Sequence, residues 1–484
     1  MTIRVLSVAS EAVPLVKTGG LADVAGALPA ALAACGVTVT TLLPGYPAVL
    51  KAIKRARCVH QWERLLGEPA RLLAVKHGGQ ALLVLDAPAY FNREGSPYSD
   101  PRGKDWGDNW RRFAAFGRAA ADIASGAVKG QAFDVLHAHD WQGGMAAAYN
   151  RFAPYGGSGL PSVMTIHNMA FQGYYDARIF RALELPRKAW SIDGVESYGG
   201  VGFLKAGLQS ASMVTTVSPS YAAEIRMAEF GMGLEGLIAS RGDRVSGILN
   251  GIDTAEWNPA SDPHLAANYS AANLKARAAN KRALEAEFGL EADGGPLFIV
   301  VSRLTWQKGM DVLPEVLDHL VGLGGRLVLL GSGDAAIERE LHKAAARHPG
   351  QIGIRIGYDE ALSHRMQAGG DAILVPSRFE PCGLTQLYGL AYGCVPVVAR
   401  TGGLADTVID ANVAALSRNV ATGVQFTGVQ YQTLAAAITR TIALYHDRAV
   451  WKQVQKNGMA CDFSWGTSGK AYAALYHRLL DEAR

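Results

Sequence analysis

Two cations five positions apart, Arg303 and Lys308, stand in the segment VSRLTWQKG (301–309), directly after a predicted buried strand. An arginine offers a planar fork for two phosphate oxygens, and a lysine offers a compact point charge. Such a pair suits a diphosphate leaving group whose developing charge must be neutralised. A solvated basic turn explains the same two residues equally well, so both interpretations stay open at this point.

A carboxylate and a predicted helix start lie close together in the segment PSRFEPCGLTQ (376–386). Glu380 can accept hydrogen bonds from sugar hydroxyls. The amides of Gly383 to Thr385, at the first turn of the helix, can receive phosphate oxygens. The segment therefore predicts contacts to both ends of one ligand. Cys382 is either a sugar contact or a small packing residue.

The hexapeptide TGGLAD occurs twice, at 18–23 and at 401–406. Each copy follows a predicted strand and opens a predicted helix, where free N–H groups and the helix dipole favour an anion. The alternative is a tight turn whose glycines only let helix and strand pack. Two such loops, one in each half of the chain, suit a ligand held between the facing carboxyl edges of two sheets.

Polar residues follow two further predicted strands, in HAHDW (137–141) and TIHN (165–168). Three histidines and Asp140 would thus share one sheet edge, and a zinc site is an alternative for them. It is a weak one, because no cysteines accompany them and polar groups of a cleft explain them equally well. We also expect the rings of His137 and His139 to point to opposite faces of their strand. The chain contains no Asp-x-Asp, which argues against a metal-bridged nucleotide-sugar site.

The elements that position these residues alternate between strand and helix, which predicts two doubly wound α/β domains with mostly parallel sheets. The length of 484 residues also exceeds what one core usually organises. The pattern restarts after residue 250, and we interpret the polar stretch 257–269 as a connection between domains. The predicted domains are 1–250 and 251–464. The predicted strands are 3–9, 37–43, 81–85, 135–137, 162–166 and 213–217, then 297–302, 326–330, 352–356, 372–375 and 395–399.

Composition excludes several classes of protein. Forty-seven basic residues stand against 43 acidic ones, and a net charge of +4 is too small to indicate nucleic-acid or membrane binding through bulk charge. Five cysteines without a C-x-x-C argue against a disulfide framework and favour a reducing compartment. No apolar run reaches the roughly 18 residues of a membrane span. We expect a cytoplasmic protein.

Taken in order, six segments resemble those of the bacterial glycogen synthases, a family that also contains the plant starch synthases. They are KTGGLADV (17–24), HAHDW (137–141), TIHN (165–168), VSRLTWQKG (301–309), PSRFEPCGLTQLYG (376–389) and RTGGLADTV (400–408). The resemblance covers essentially the whole chain. It implies two facing Rossmann-like domains, the glycosyltransferase B-type fold. The first domain would lie on the acceptor side, completed by a helix at 465–484, and the second on the donor side.

The family's reaction is retaining transfer of glucose from ADP-glucose to the non-reducing 4-hydroxyl of an α-1,4-glucan, with no cofactor and no metal. By motif position, the resemblance implies catalytic roles for Glu380, Arg303, Lys308, His167 and Asp140. It implies substrate binding by Lys17, Gly19, Gly20, Asp23, Asn168, Asn250, Tyr358, Cys382, Gly383, Leu384 and Thr385. Within that set, Lys17 and its glycine loop would meet the diphosphate, and Tyr358 would stack near the adenine.

One position departs from the pattern of wider relatives. They often carry a second glutamate eight residues after the first, where this chain has Tyr388. We therefore favour front-face transfer, with the departing phosphate helping to deprotonate the acceptor. Double displacement through Glu380 remains the alternative. Two other functions stay open: a transferase of the same fold using UDP-glucose or a small acceptor, and a binding protein without turnover. The oligomeric state is left open.

Overall fold

The computed structural model describes residues 2–155 and 159–483. The chain divides into two compact units, and its path crosses between them twice. Unit 1 comprises Met1–Gly251 with Trp465–Arg484, and unit 2 comprises Ile252–Ser464. The acceptor-side and donor-side roles of the two units remain predictions.

Unit 1 is built on a largely parallel sheet. Its strands are β1 Ile3–Val8, β2 Val37–Pro44, β3 Arg57–Leu65, β4 Glu68–His77, β5 Gln80–Asp86, β6 Val135–His139, β7 Ser162–Ile166, β8 Tyr174–Tyr175, β9 Glu196–Ser197, β10 Gly200–Gly202, β11 Met213–Thr216 and β12 Val245–Gly247. Its helices are α1 Gly20–Ala33, α2 Pro47–Ala52, α3 Pro88–Phe91, α4 Asn109–Ala124, α5 Asp140–Phe152, α6 Phe203–Ser210, α7 Pro219–Glu224, α8 Ala228–Gly231 and α9 Glu235–Ser240, with a further helix, Trp465–Glu482, from the end of the chain.

The order of the main sheet is β12-β11-β7-β6-β1-β2-β5-β4-β3, and β8, β10 and β9 form a small separate antiparallel sheet. Strand β1 lies between β2 and β6 and is parallel to both. It is almost wholly buried because helices cover both faces of a parallel sheet. The antiparallel β3–β4 hairpin was not predicted, since β3 is mostly exposed and carries polar residues.

Unit 2 is a second doubly wound domain whose sheet runs β15-β14-β13-β16-β17-β18, with every pair parallel. The strands are β13 Leu297–Val301, β14 Arg326–Gly331, β15 Ile352–Ile356, β16 Ala372–Val375, β17 Val395–Ala399 and β18 Val424–Phe426. The helices are α10 Arg277–Glu287, α11 Leu313–Gly322, α12 Ala335–Arg347, α13 Glu360–Gly369, α14 Thr385–Tyr392, α15 Gly402–Thr407, α16 Val413–Ser417, α17 Tyr431–His446 and α18 Arg448–Met459. The terminal helix of unit 1 is α19, Trp465–Glu482.

Helix α19 completes the core of unit 1. Tyr472 and Tyr476 are fully buried in a cluster with residues of β1 and α1. Gly469 lies against Ala31 of α1 so closely that a Cβ there would contact the Ala31 side chain at 2.9 Å. The Tyr476 hydroxyl also hydrogen-bonds His137 Nδ1 at 2.7 Å. The end of the chain is therefore an integral element of unit 1.

The interpretation of 257–269 as a connection is wrong. Trp257 and Tyr269 are buried in a hydrophobic cluster of unit 2. The Trp257 ring stacks on His364 at 3.8 Å and on Tyr388 at 3.6 Å between ring centroids. The Tyr269 hydroxyl donates to the carbonyl of Tyr392 at 2.8 Å. These two aromatic side chains, together with Leu265, anchor the stretch in the core of unit 2.

The α/β class with two doubly wound domains is confirmed. Searching the described helices for a segment long and apolar enough to cross a membrane finds none.

Candidate active site

The carboxyl edge of the unit 2 sheet forms a cavity of about 200 Å³. The ends of β13 and β16 and the start of α14 surround it. Six of the predicted site residues line it together: Arg303, Lys308, Glu380, Gly383, Leu384 and Thr385. Parallel strands place their carboxyl ends at one edge, which is why segments 70 or more residues apart in the chain meet there.

The centre of this cavity is an ion pair. Lys308 Nζ lies 2.5 Å from Glu380 Oε2, and the two side chains are only 16% and 9% exposed. The Ser377 hydroxyl donates to the same carboxylate oxygen at 2.8 Å. Among the described residues, none donates to the other oxygen, Oε1. Arg303, by contrast, is exposed. The cavity thus offers one free carboxylate oxygen, one free guanidinium and one lysine held in place.

The start of α14 supplies free N–H groups to the cavity wall. The amides of Gly383, Leu384 and Thr385 donate to no other described residue, as expected for the first turn of a helix. Gly383 has φ +71°, and a Cβ there would lie 2.5 Å from Oε1 of Gln386 and 3.1 Å from Cγ of Glu380. The left-handed turn and the close packing of these two side chains both favour glycine at this position. Amides arranged in this way can receive phosphate oxygens.

The second TGGLAD copy packs against this site instead of opening onto it. Gly402 has φ +43°, and a Cβ there would overlap the carbonyl oxygen of Glu380. The Gly403 amide donates to that same carbonyl at 3.1 Å. For 401–406, the packing alternative therefore describes the loop, and α15, which begins there, is only six residues long. The prediction of an anion site at this copy is wrong.

Two further residues of the unit 2 set, Cys382 and Tyr358, lie outside the cavity lining, as does Tyr388. Cys382 is buried behind the cavity wall, which fits a packing residue. Tyr358 is 76% exposed, and its hydroxyl donates to Glu360 at 2.9 Å. Tyr388, at the position of the second glutamate of wider relatives, stacks on Trp257 within the core. Tyr388, which replaces that glutamate, thus has a structural role.

In unit 1 the first TGGLAD copy is open. A Cβ at Gly19 or Gly20 would have no described atom within 4 Å. Glu11, however, occupies part of the loop: its buried carboxylate accepts from the amide and hydroxyl of Thr18 and, at 3.3 Å, from the amide of Gly19. Lys17 Nζ pairs with Asp23 Oδ1 at 2.8 Å. The amides of Thr18 and Gly19 therefore already have an anionic partner, the carboxylate of Glu11.

Asp140, the first residue of α5, is buried and has φ +51°, a conformation sparsely populated by residues other than glycine. Its Oδ1 accepts from the amides of His167 at 2.6 Å and Asn168 at 3.4 Å. Burial raises the pKa of Asp140 to about 7, and the charge of Glu11 acts in the same direction. Strain and a displaced pKa at one carboxylate are typical of functional sites.

The histidines form a buried hydrogen-bonded chain. His139 Nδ1 lies 3.1 Å from His167 Nε2, and His139 Nε2 lies 3.2 Å from the Ser7 hydroxyl. His137 bonds Thr165 Oγ1 at 2.6 Å. Burial lowers the pKa of His139 to about 3 and the pKa values of His137 and His167 well below 6.5. All three rings are thus neutral at pH 7.

The positions of these histidines bear on two predictions from the sequence, the directions of the rings and the zinc alternative. The expectation that His137 and His139 face opposite ways is wrong: their ring centroids are 4.2 Å apart, because residues two positions apart share one face of a strand. The zinc alternative finds no support, since both ring nitrogens of His137 and of His139 are already engaged in hydrogen bonds to neighbouring side chains. Among the described residues, Glu256, Glu360 and His364 form the only group of three or more possible metal ligands whose ligand atoms all lie within 4.8 Å of one another, and two of those three residues are exposed.

Asn250 and Asn168 complete the unit 1 set. Asn250 is buried, and its Oδ1 accepts no hydrogen bond from a described residue. A buried acceptor without a donor is costly and points to a ligand or water. Asn168 Oδ1 accepts from the amide of Ala170 at 3.0 Å, which shapes the loop after β7.

Two residues of these sites were not predicted. Glu11 follows β1 in SVASEAVP and holds the Thr18 loop, with a further hydrogen bond from the Tyr98 hydroxyl. Ser377 follows β16 and holds Glu380. The signal that revealed His139 and Glu380, a polar residue just past a buried strand, would have found both.

Comparison with known proteins gives concordant results. The family described as starch synthase catalytic domain matches residues 4–240, and the family described as glycosyl transferases group 1 matches residues 282–457. Glycogen synthase from Novosphingobium aromaticivorans is 71% identical over 100% of both chains. Glycogen synthase from Rhizobium rhizogenes is 58% identical over 99% of both.

Solved structures agree. The catalytic domain of starch synthase IV from Arabidopsis thaliana, bound to ADP and acarbose, superposes with a TM-score of 0.87 at 32% identity, over 99% of this chain and 100% of that one. Sucrose-phosphate synthase from Thermosynechococcus elongatus, with a TM-score of 0.60 at 17% identity over 99% of this chain and 100% of that one, shares the fold.

Proposed function

The chain belongs to the glycogen synthase family, and we propose that it transfers glucose from ADP-glucose to the non-reducing 4-hydroxyl of an α-1,4-glucan, with retention. The observation that supports this most directly is the unit 2 cavity, where a buried carboxylate, two cations and free helix amides line one space. Pure binding of a sugar nucleotide would not require so complete a set of charge-neutralising groups at a leaving group.

In this proposal the donor diphosphate lies against Arg303, Lys308 and the first amides of α14. The amides and cations neutralise the charge that develops on the leaving phosphate, and preorganised donors of this kind lower the barrier because they need not reorient. Apolar side chains, among them Met310, Leu374 and Val375, line the rest of the cavity and strengthen each charged contact by lowering the local dielectric constant.

Glu380 would hold the transferred glucose. Its Oε1, which no described residue occupies, accepts from sugar hydroxyls, while Oε2 stays bound to Lys308 and Ser377. A carboxylate that is ion-paired with a lysine at 2.5 Å is a weaker nucleophile than an unpaired one. This favours front-face transfer. In that mechanism the negative charge of Glu380 stabilises the positive charge that develops at the anomeric carbon, and no bond forms between the two.

On the acceptor side, unit 1 would contribute Asp140, His167, Asn168 and Asn250, with Lys17 and Gly20 directed at phosphate. Neutral His167 can exchange a hydrogen bond with a sugar hydroxyl through Nδ1, because its Nε2 is engaged with His139. Asp140 holds the backbone of the His167 loop and thereby positions the imidazole. These roles need no cofactor or metal.

The test is incubation of the full chain with labelled ADP-glucose and glycogen, followed by digestion with a hydrolase specific for α-1,4 linkages. Label should enter the glucan and be released by the hydrolase. Parallel reactions use UDP-glucose as the donor, or a small acceptor such as a sugar phosphate in place of glycogen. They test the alternative of a transferase of the same fold with another donor or acceptor. Absence of label from digestible glucan with ADP-glucose would overturn the proposal, and nucleotide binding without any turnover would indicate a binding protein.

Glu380→Gln separates binding from chemistry. It keeps the shape of the side chain, removes its charge and releases Lys308, so we expect kcat to fall on the order of a hundredfold or more. The affinity for ADP, measured by calorimetry, should be unchanged or higher. Glu340→Gln, which removes the charge from an exposed glutamate paired with Lys343, is the matched control. Normal turnover in Glu380→Gln would refute its role, and a covalent hexosyl adduct on Glu380 in quenched wild-type enzyme would establish double displacement.

A further inference from the structure

A surface depression of about 490 Å³, largely open to solvent, lies in unit 1 at the C-terminal ends of α5, α6 and α9. Its size falls within the range of small-molecule sites. We call it the arginine pocket and define it by Arg151, Arg241, Arg244, Gln209, Ser210 and Ser212, which line it. None of these residues belongs to the site described above. No acidic side chain is among the described residues that line it.

Part of this basic lining serves the fold. Arg151 Nη1 donates to the carbonyl of Gln209 at 2.8 Å, and Arg241 Nη2 donates to the carbonyls of Ala211 and, at 3.1 Å, Ser212. These carbonyls end α6 or follow it, and an arginine commonly satisfies such groups. Capping accounts for one nitrogen of each of these two guanidinium groups.

Other donors of the pocket remain unused. Arg241 Nε and Ser210 Oγ are both buried, and neither has a hydrogen-bond partner among the described residues. Leaving a buried polar group unpaired is unfavourable, so such groups usually have a ligand or a water. Within the described part of the chain, Arg244 donates through Nη1 alone, to Glu482 at 2.7 Å and to the sulfur of Met213. Capping therefore does not explain these groups.

The charge in the pocket is also incompletely balanced. Burial and the neighbouring charges of Arg244 and Arg151 together lower the pKa of Arg241. Positive charges that repel one another in a partly buried space favour an anion between them. Guanidinium forks match the oxygen geometry of a phosphate group, and the serine hydroxyls complement further oxygens. Gln209 Nε2 already donates to Asp193 Oδ1 at 3.3 Å, so this side chain offers its Oε1 as an acceptor for a hydroxyl.

We propose that the arginine pocket binds a phosphate group, carried by a small organic phosphate or present as the free ion, at a site separate from glucosyl transfer. The phosphate would lie between Arg151, Arg241 and Arg244, with Arg241 Nε and Ser210 Oγ as donors. The remaining volume accommodates the body of an organic phosphate, whose hydroxyls would meet Gln209 and Ser212.

The test is calorimetric titration of the full chain, with ADP present in excess, using inorganic phosphate, fructose 6-phosphate and, as the uncharged control, fructose. We expect both phosphates to bind and fructose not to. Tighter binding of fructose 6-phosphate identifies an organic phosphate, and equal or tighter binding of inorganic phosphate identifies the free ion. Absence of binding by either phosphate up to about 10 mM, near the limit of specific recognition, would overturn the proposal.

Variants locate the site. Arg151→Gln/Arg244→Gln should weaken binding by on the order of a hundredfold, about tenfold for each charged hydrogen-bonding group removed. Arg187→Gln/Lys188→Gln removes the same two positive charges from exposed positions of unit 1 and should leave the affinity unchanged. If the double variant unfolds, Ser210→Ala takes its place, with an expected loss of about fivefold. Equal affinity in wild type and in these pocket variants would overturn the assignment, whereas glucosyl transfer without phosphate should not change.

Discussion

At the scale of single residues, Arg303 and Lys308 differ although only five positions separate them. Arg303 is exposed, whereas Lys308 is largely buried and pairs with Glu380. The sequence alone would treat both as loop cations whose removal spares stability. Only Arg303 meets that description, because removing Lys308 leaves a buried carboxylate without its counterion.

We therefore expect Arg303→Ala to lower kcat on the order of a hundredfold with a melting temperature close to that of wild type. Lys308→Ala should lower kcat similarly and also cost about 2 kcal/mol of unfolding free energy. Denaturant unfolding and initial rates on the same preparations measure both. Lys343→Ala, which breaks an exposed pair with Glu340, is the control and should change neither. The double variant Lys308→Ala/Glu380→Gln should be more stable than Lys308→Ala, and a further loss would contradict the ion-pair argument.

The buried histidines predict how stability depends on pH. Their folded pKa values lie below those of the unfolded chain, so their contribution is present above about pH 6.5 and is lost as pH falls. Asp140 acts oppositely: its pKa of about 7 means that its contribution is present below about pH 4 and is lost as pH rises through 7. Three groups outweigh one, so stability should fall between pH 6.5 and 4.

His139→Gln tests this dependence. Removing one buried imidazole should reduce the slope of unfolding free energy against pH, between pH 6 and 4, by up to about 1.4 kcal/mol per pH unit, the value for one proton. Asp140→Asn should make the slope steeper. Urea titrations at several pH values provide the measurement. Slopes that match wild type in both variants would show that these groups do not control acid stability.

At the scale of elements, one hexapeptide serves two purposes. The loop before α1 leaves space around Gly19 and Gly20, whereas the loop before α15 uses Gly402 and Gly403 to pack against 380–382. Their sequences are identical, so the difference arises from what each loop meets in the fold. Local sequence predicts the strand-loop-helix geometry of each copy but not its environment.

This contrast gives a matched pair of substitutions. Gly20→Ala should fold with normal stability, so any loss of activity would report a ligand contact at the loop. Gly402→Ala should destabilise the protein by more than about 1 kcal/mol, because φ is positive and the added Cβ overlaps the Glu380 carbonyl. It should also displace Glu380 and lower kcat. Thermal melts and kcat decide the matter, and a Gly402→Ala enzyme with normal stability would contradict the packing described here.

Local sequence predicts an element but not what that element contacts, and this explains which features could be predicted and which could not. Buried parallel strands such as β1 and β13 are short apolar runs, and their places were predicted within about two residues. Polar residues just past the end of such a strand could be identified as site candidates, as with Glu380 after β16 and Asp140 after β6. Strand β3 was not predicted because its residues are mostly polar and exposed. The burial of Trp257 and the pairing of Lys308 depend on long-range contacts that no local pattern encodes.

At the scale of the whole molecule, unit 1 is discontinuous in sequence, because α19 returns to pack on α1 after the chain has built all of unit 2. The contact between Gly469 and Ala31 is so close that a larger side chain has no room. Unit 1 therefore depends on residues that the sequence places after the other unit, and its stability should respond to changes in α19.

Gly469→Leu tests this dependence. The larger side chain should force α19 away from α1 and destabilise unit 1 by about 1–3 kcal/mol, the usual cost of overpacking. Hydrogen exchange measured by mass spectrometry should then show faster exchange in β1 and β6 and unchanged protection in β13 and β16, because opening is confined to one cooperative unit. Ala474→Leu, on the exposed face of the same helix, is the matched control and should leave exchange unchanged. Equal loss of protection in both units would show that they unfold as one, and no loss in β1 would show that α19 is dispensable to the core it covers.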